Sequence, residues 1–403
     1  MTALAVWMYG RQIGSLTRSR GQLVFTYSPA ALGLGIGRPL LSIGLTTRTR
    51  PYRGRGVEAF FAGLLPEGEA RRMIAYDFGL ESDDVFGLLA ALGRDCAGAL
   101  VILPEGEPLP VAGTPEPVAD TEIAQRIRAL RFAPLGVDQR IRVSLAGVQE
   151  KLLLARAGTR WCLPVDGAPS THVLKPAHPL LTDSIANEGF CLRLAARAGV
   201  RVAVAEVCTF AGVEVLCVER YDRRSDATGT TIRIHQEDFC QARGLGAERK
   251  YEATGGPSFA QCADILDQWG RGREDLEQLL DLVVVNVVIG NADAHAKNLS
   301  LLHTPEGRVE LAPAYDLMST THYPQVSTTP GMFIGGVRDM TQVAPGNIMD
   351  EARSWGMSAG AAEDRVQSLL DRIPTAAALA ARDIAPPAGL PDAVVLRAQQ
   401  LRQ

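Results

Sequence analysis

The spacing of apolar positions changes character along the chain. Near the start, "ALAVWMYGRQIGSLT" alternates as two strands turning at Gly10-Arg11, while "VEAFFAGLLPEGEARRMI" and "DDVFGLLAALG" have helical spacing, the second led by an Asp cap. The stretch 103–120, "LPEGEPLPVAGTPEPVAD", is rich in Pro and Gly and predicts a linker. Beyond it "KLLLAR", "RWCLP" and "THVLK" predict strands, and "DSIANEGFCLRLAARAG" a helix opened by Asp183 or Ser184 and closed at Gly199. "AEVCTFAGVEVLCVERYD" predicts a hairpin turning at Ala211-Gly212. From about residue 235 the pattern turns helical. The Val-rich half of "REDLEQLLDLVVVNVVIG" suits a strand as well. Its length, and Leu276, Leu279, Leu280, Val283, Val284 and Val287 at helical spacing, favour a buried helix ended by Gly290 and Asn291. "LSLLHT" and "RVELAP" then predict a hairpin joined by "PEG", and the last 60 or so residues are Ala- and Arg-rich at helical spacing. Strands first and helices later, with polar chemistry between them, predict an α+β chain in two lobes with a ligand cleft.

Composition narrows the class. With 403 residues, 46% hydrophobic and 21% charged, the chain can bury a large core. The net charge of −4 carries no global nucleic-acid footprint. Locally, Arg48, Arg50, Arg53 and Arg55 cluster, as either a solvated loop or a phosphate-contacting patch. Seven cysteines without a CxxC pair fall mostly in apolar segments, which argues for a reducing compartment and against disulfides or a zinc site. No basic leader opens the sequence, and apolar runs stay below the ~18 residues of a membrane span. A cytoplasmic protein without a membrane partner is expected.

The chemistry concentrates in "GNADAHAKNLSLL". Asp293 and Asn298 follow the long helix, and the hairpin after them ends at Asp316. A hairpin brings its ends together, so Asn298 and Asp316 can reach one Mg²⁺, which demands oxygen ligands. Asp293, in the loop, suits the proton of an attacking hydroxyl. His295 either contacts phosphate or orders the loop, and Lys297 either neutralises nearby carboxylates or is solvated. Lys175 ends the strand "THVLK" and Glu188 lies on the following helix, the pairing with which kinases grip ATP phosphates. No G-x-G-x-x-G precedes Lys175. "GLGIG" (33–37) reads as a flexible loop, and the small residues Ser144, Ala146 and Gly147 offer backbone N–H groups to phosphate.

In their shared order, "FFAGLLPEG", "LLAALGRDCAGAL", "VSLAGVQEK", "THVLKP", "NEGFCLRLA", "VERYDRR", "HQEDFCQARG", "KYEATGGPS", "GNADAHAKN" and "LAPAYDLMS" resemble the HipA family of bacterial serine/threonine kinases, the toxin half of a toxin–antitoxin pair. The resemblance implies a bilobal protein-kinase-like fold: a small mixed N-terminal module (1–112), a kinase N-lobe (113–222) and a mostly helical C-lobe (223–403). It implies ATP and Mg²⁺ as cofactors, with Asp293 catalytic and Asn298 and Asp316 on the metal. It implies nucleotide contacts at Lys175, at Ala146, Gly147, Val148, Gln149, Glu150 and Lys151, at Glu219, Arg220 and Tyr221, and at His295, Tyr315 and Asp316. Glu188 would position Lys175, and Ser144 matches the serine that the family autophosphorylates, after which the loop flips out and activity stops. The implied partners are a HipB-like helix-turn-helix antitoxin, operator DNA through that complex, and a protein substrate such as glutamyl-tRNA synthetase or another aminoacyl-tRNA synthetase, with growth arrest and persistence as the outcome. Two other readings stand beside this one. In the first, the chain is mainly an antitoxin-binding corepressor with little kinase activity. In the second, the order D-x-H-x-x-N, similar to that of phosphatidylinositol kinases, marks a lipid or small-molecule kinase, against which the lack of a basic amphipathic face speaks.

Overall fold

A computed structural model describes residues 3–109, 113–304 and 307–402. The chain divides into two compact units: residues 1–176, 208–247 and 302–307 form the first, and residues 177–207, 248–301 and 308–403 the second.

Unit 1 holds two large sheets and a two-stranded one, Arg223–Ser225 with Thr231–Arg233. In the first, the strands run in the order Tyr52–Arg53, Gln22–Tyr27, Arg11–Ser19, Ala3–Met8 and Leu100–Pro104. The expected turn falls at Tyr9-Gly10, both with positive φ. The apolar residues of these strands pack on the helices Arg55–Ala62 and Val85–Leu92, burying Phe25, Phe60, Phe61 and Leu89 completely. The single helical run expected over 57–74 is broken. Arg55–Ala62 stops at Gly63, and Gly68–Asp77 starts afresh beyond Pro66, which has no N–H to continue a helix. The second sheet carries Val213–Glu219, His172–Pro176, Leu152–Ala157, Arg160–Leu163 and Glu116–Pro117 side by side. The hairpin from Ala205–Phe210 to Val213–Glu219 turns at Ala211-Gly212, as its spacing predicts. The Pro- and Gly-rich stretch is partly ordered, because Glu116 and Pro117 pair at a sheet edge with Leu163 and Cys162 and a helix begins at Asp120. Its residues 110–112 lie outside the described residues. The Gly33–Gly37 loop is pinned rather than loose: Thr47 accepts from the N–H of Gly37, and its hydroxyl donates to the Gly35 carbonyl at 2.5 Å.

Unit 2 is mostly helical. Ser184–Arg197, Phe259–Trp269, Arg273–Ile289, Pro345–Ser354, Ala359–Asp383 and Leu390–Gln400 build its core. The Val-rich segment is a helix, with Leu279, Leu280, Val283 and Val285 fully buried. The predicted hairpin is formed by Ser300–His303 and Val309–Leu311. Two residues of its expected turn, Pro305 and Glu306, lie outside the described residues. All seven cysteines are free thiols. Among the described residues no helix is long and apolar enough to cross a membrane.

Candidate active site

The helix Arg273–Ile289 ends at Gly290, whose φ of 70° puts it in the left-handed region. A Cβ there would lie 2.0 Å from the Thr321 hydroxyl, so the position demands glycine on steric as well as conformational grounds. The next residues are then held one by one. Asn291 donates through Nδ2 to Asn286 Oδ1, and its own Oδ1 accepts from the Asp293 N–H at 3.2 Å. The N–H of Ala292 donates to the Thr320 hydroxyl at 2.7 Å, and its carbonyl accepts from the Gly331 N–H at 2.7 Å. A short 3-10 turn over Ala296–Asn298 closes the loop, with the Asn298 N–H on the His295 carbonyl at 2.8 Å.

This wiring aims the polar side chains. Asp293 is exposed, and its Oδ1 accepts from the Tyr251 hydroxyl at 2.8 Å. Asn298 Nδ2 donates to the Asp293 carbonyl at 3.1 Å, which fixes the amide orientation and leaves Oδ1 as the atom a cation would use. Asn298 and Asp316 line one pocket together with His295, Tyr315, Asn291 and Leu317. An amide oxygen and a carboxylate in one pocket are the hard donors that Mg²⁺ takes, so these residues fit the ion. Asp316 has a φ of 59°, a left-handed conformation uncommon outside glycine. Tyr315 donates to the Lys297 carbonyl at 2.7 Å and exchanges a hydrogen bond with the Ser300 hydroxyl, tying the two ends of the hairpin together.

His295 is buried, and its ring packs edge-on to Tyr251 at 5.1 Å. Burial pushes its pKa down; Asp293 opposes that and Lys250 adds to it. Its Nδ1 is buried without a hydrogen-bond partner among the described residues, a polar atom left for a ligand. Lys297 is buried, which removes the solvated alternative for it.

The remaining expected residues divide between the units. Glu188 is buried on the helix Ser184–Arg197 of unit 2. Its neighbour Asn187 holds the chain beyond Asp316: Nδ2 donates to the Ser319 carbonyl at 3.0 Å and Oδ1 accepts from the Ser319 N–H at 2.8 Å. Lys175 lies half-buried in unit 1, opposite Leu216 in the sheet. In the loop 146–151, Gly147 has a φ of 112°, Val148 is exposed, and Lys151 Nζ donates to the Ala146 carbonyl at 2.6 Å. Ser144 is fully buried, donating to the Leu64 carbonyl at 2.7 Å. Glu219 is exposed, and the Tyr221 hydroxyl donates to Gln236.

Arg220 lies in the stretch expected to meet the nucleotide base, and its side chain turns into unit 1. Its guanidinium is buried on Asp222, Asp95, the Ser170 hydroxyl and the Cys96 carbonyl. Burial alone would raise the Asp95 pKa, but Arg223, Arg220 and Arg233 outweigh it and hold the carboxyl well below its usual range. Tyr251, Asn187 and Thr320 were not singled out from sequence, and Asn291 only as the end of the long helix. Tyr251 stands in "KYEATGGPS", part of the resemblance but with no chemistry of its own to mark it.

Residues 4–103 match the model of the HipA N-terminal domain, and residues 143–378 match the HipA-like C-terminal domain. The chain belongs to the HipA family. Over 94% of its length it is 39% identical to a putative kinase of Sinorhizobium fredii, Y4mE, covering 92% of that protein. Over 68% of its length it is 33% identical to the serine/threonine-protein kinase toxin HipA of Shewanella oneidensis, covering 66% of that protein. Its mixed α/β fold is the HipA fold. The Shewanella oneidensis HipA solved with HipB and operator DNA superposes with a TM-score of 0.85 at 27% identity, over 98% of this chain and 96% of that one.

Proposed function

We propose that this HipA-family chain is an ATP- and Mg²⁺-dependent serine/threonine-protein kinase that serves as the toxin of a toxin–antitoxin pair. The observation that carries the reading is the loop 291–298, which presents the Asp293 carboxylate to solvent while Asn298, His295 and Asp316 line the pocket beside it. In this reading Asp293 takes the proton of a Ser or Thr hydroxyl as that oxygen attacks the γ-phosphorus of ATP and ADP leaves. Asn298 and Asp316 would hold Mg²⁺, which neutralises phosphate charge when bound. His295 has its buried Nδ1 available to hydrogen-bond with the nucleotide or its water shell. Lys175, Glu188 and the loop Ala146–Lys151 serve the phosphates, and Glu219 and Tyr221 the base. Arg220 stands between them in the same hinge stretch, with its guanidinium held by the cluster around Asp95.

Residues 1–112, 113–222 and 223–403 are assigned as the N-terminal module, kinase N-lobe and C-lobe. Ser144 is assigned as the autophosphorylation site. Its hydroxyl must first leave the Leu64 carbonyl, so phosphorylation requires the loop to come out of its buried place, and an added charge of about −1.5 to −2 prevents its return. The acceptor protein is assigned as an aminoacyl-tRNA synthetase, with growth arrest as the consequence, in the cytoplasm. A HipB-like antitoxin and operator DNA are the proposed partners, because the solved Shewanella oneidensis relative assembles with both and Arg48, Arg50, Arg53 and Arg55 are exposed here.

The test is phosphate transfer from labelled ATP with Mg²⁺, followed by intact-mass measurement of the chain. Asp293→Ala should cost roughly 10²–10⁴ in rate. Equal labelling of wild type and Asp293→Ala would falsify the kinase reading.

A further inference from the structure

The kinase reading gives Asp293 a task but not a means of holding still. An exposed aspartate at the surface samples several rotamers, and base catalysis needs one of its oxygens at a defined place. Tyr251 supplies the missing constraint. Its hydroxyl donates to Asp293 Oδ1 at 2.8 Å, which leaves Oδ2 for the acceptor hydroxyl. The phenol is itself fixed from several directions. Its ring packs edge-on to His295, 5.1 Å away at 82°. The residue before it accepts at the Lys250 carbonyl from the Ala296 N–H, 3.2 Å, in the same loop as Asp293. The residue after it donates from the Glu252 N–H to the Gly331 carbonyl at 2.8 Å. Gly331 in turn donates to the Ala292 carbonyl, one residue before Asp293, at 2.7 Å. The Glu252 carboxylate accepts from the Phe333 N–H at 2.7 Å, which closes the frame. Gly331 leaves no room for slack, since a Cβ there would sit 2.8 Å from the Ala294 carbonyl and the His295 nitrogen.

We propose that Tyr251 is a positioning residue for the phosphotransfer, orienting the Asp293 carboxylate through its hydroxyl; the inference rests on the kinase reading above. Two other roles predict different behaviour. If Tyr251 only packs, its ring suffices and the hydroxyl is idle. If the phenol occupies the acceptor's place, removing it frees the base.

The experiment compares the full-length wild type, Tyr251→Phe and Tyr251→Leu. It follows self-labelling from ATP and Mg²⁺ as a function of ATP concentration, with thermal unfolding alongside. Tyr251→Phe keeps the ring on His295 and removes only the hydroxyl. Its maximal rate should fall roughly 10- to 100-fold, with the KM for ATP and the unfolding midpoint unchanged. Tyr251→Leu should lose at least as much rate and also some stability. A Phe variant with wild-type rate, or with a raised one, overturns the proposal. So does a rate loss matched by a shift in KM or in unfolding midpoint, since that marks a packing role. Wild-type labelling independent of Asp293 removes the kinase reading and this inference with it. Wild-type labelling dependent on Asp293, with Tyr251→Phe unimpaired, removes only the role of Tyr251.

Discussion

Gly290 and Asp316 bracket the candidate site, and both hold a left-handed backbone, at φ 70° and 59°. For Gly290 this costs little, and its carbonyl accepts from both the Thr320 hydroxyl and the Thr321 N–H, joining the helix end to the segment after Asp316. Gly290→Ala should therefore destabilise the protein by about 2 kcal/mol or more, through strain at φ 70° and the 2.0 Å approach to Thr321 Oγ1. Chemical denaturation reads this. Thr321→Ala in the same chain should restore the part due to the clash and leave the part due to strain. An unaltered denaturation midpoint in Gly290→Ala would mean that the helix end relaxes freely. At this scale spacing carried a great deal. Asp293 and Asn298 stand out by lying five positions apart, and Asp316 by the hairpin that returns to them. Tyr251 does not, because 42 residues separate it from Asp293 and only folding makes them neighbours. The partner of the Arg220 guanidinium is hidden in the same way, because Asp95 lies 125 positions away.

Elements follow their signals where those signals are local. Asp84 heads the helix Val85–Leu92 as expected, its Oδ1 accepting from the Gly87 N–H at 2.9 Å and pairing with Arg18. Asp84→Ala should cost about 1 kcal/mol, mostly from the lost cap, because an exposed ion pair adds little. Arg18→Ala, which keeps the cap, should cost less in the same denaturation experiment; an equal cost would assign the stabilisation to the pair instead. The helix Arg273–Ile289 was legible because its apolar residues repeat at helical spacing over more than three turns. The run 57–74 was not, since Pro66 and Gly68 interrupt an apolar rhythm that continues on both sides. The Pro-rich stretch conceals a two-residue edge strand, because pairing there depends on Cys162 and Leu163 arriving from elsewhere.

On the scale of a whole unit, unit 1 depends on buried groups kept in one charge state. His235 is fully buried, donates from Nε2 to the Leu41 carbonyl at 2.7 Å and lies 5.1 Å from the His303 ring. Burial, and then His303, push its pKa from 6.5 down to about 3. The unfolded chain therefore binds a proton below pH 6.5 that the folded chain refuses until about pH 3, so stability must fall as pH drops through that window. The slope for one proton approaches about 1.4 kcal/mol per pH unit. His235→Gln, which keeps a donor for Leu41, should flatten the decline between pH 6.5 and 5 in denaturation experiments. An unchanged slope would place the acid sensitivity elsewhere.

The sequence by itself determined the family, most of the order of strands and helices, and the chemical types at the candidate site, because each depends on residues a few positions apart or on motifs that persist in order. Tertiary structure alone decided that Tyr251 meets Asp293, that Asn187 holds Ser319 and that Ser144 is buried on Leu64. It also decided that Arg220 belongs to a buried ion cluster. These contacts join distant positions, and which of them form is settled by packing and by the cost of leaving a buried polar group unpaired.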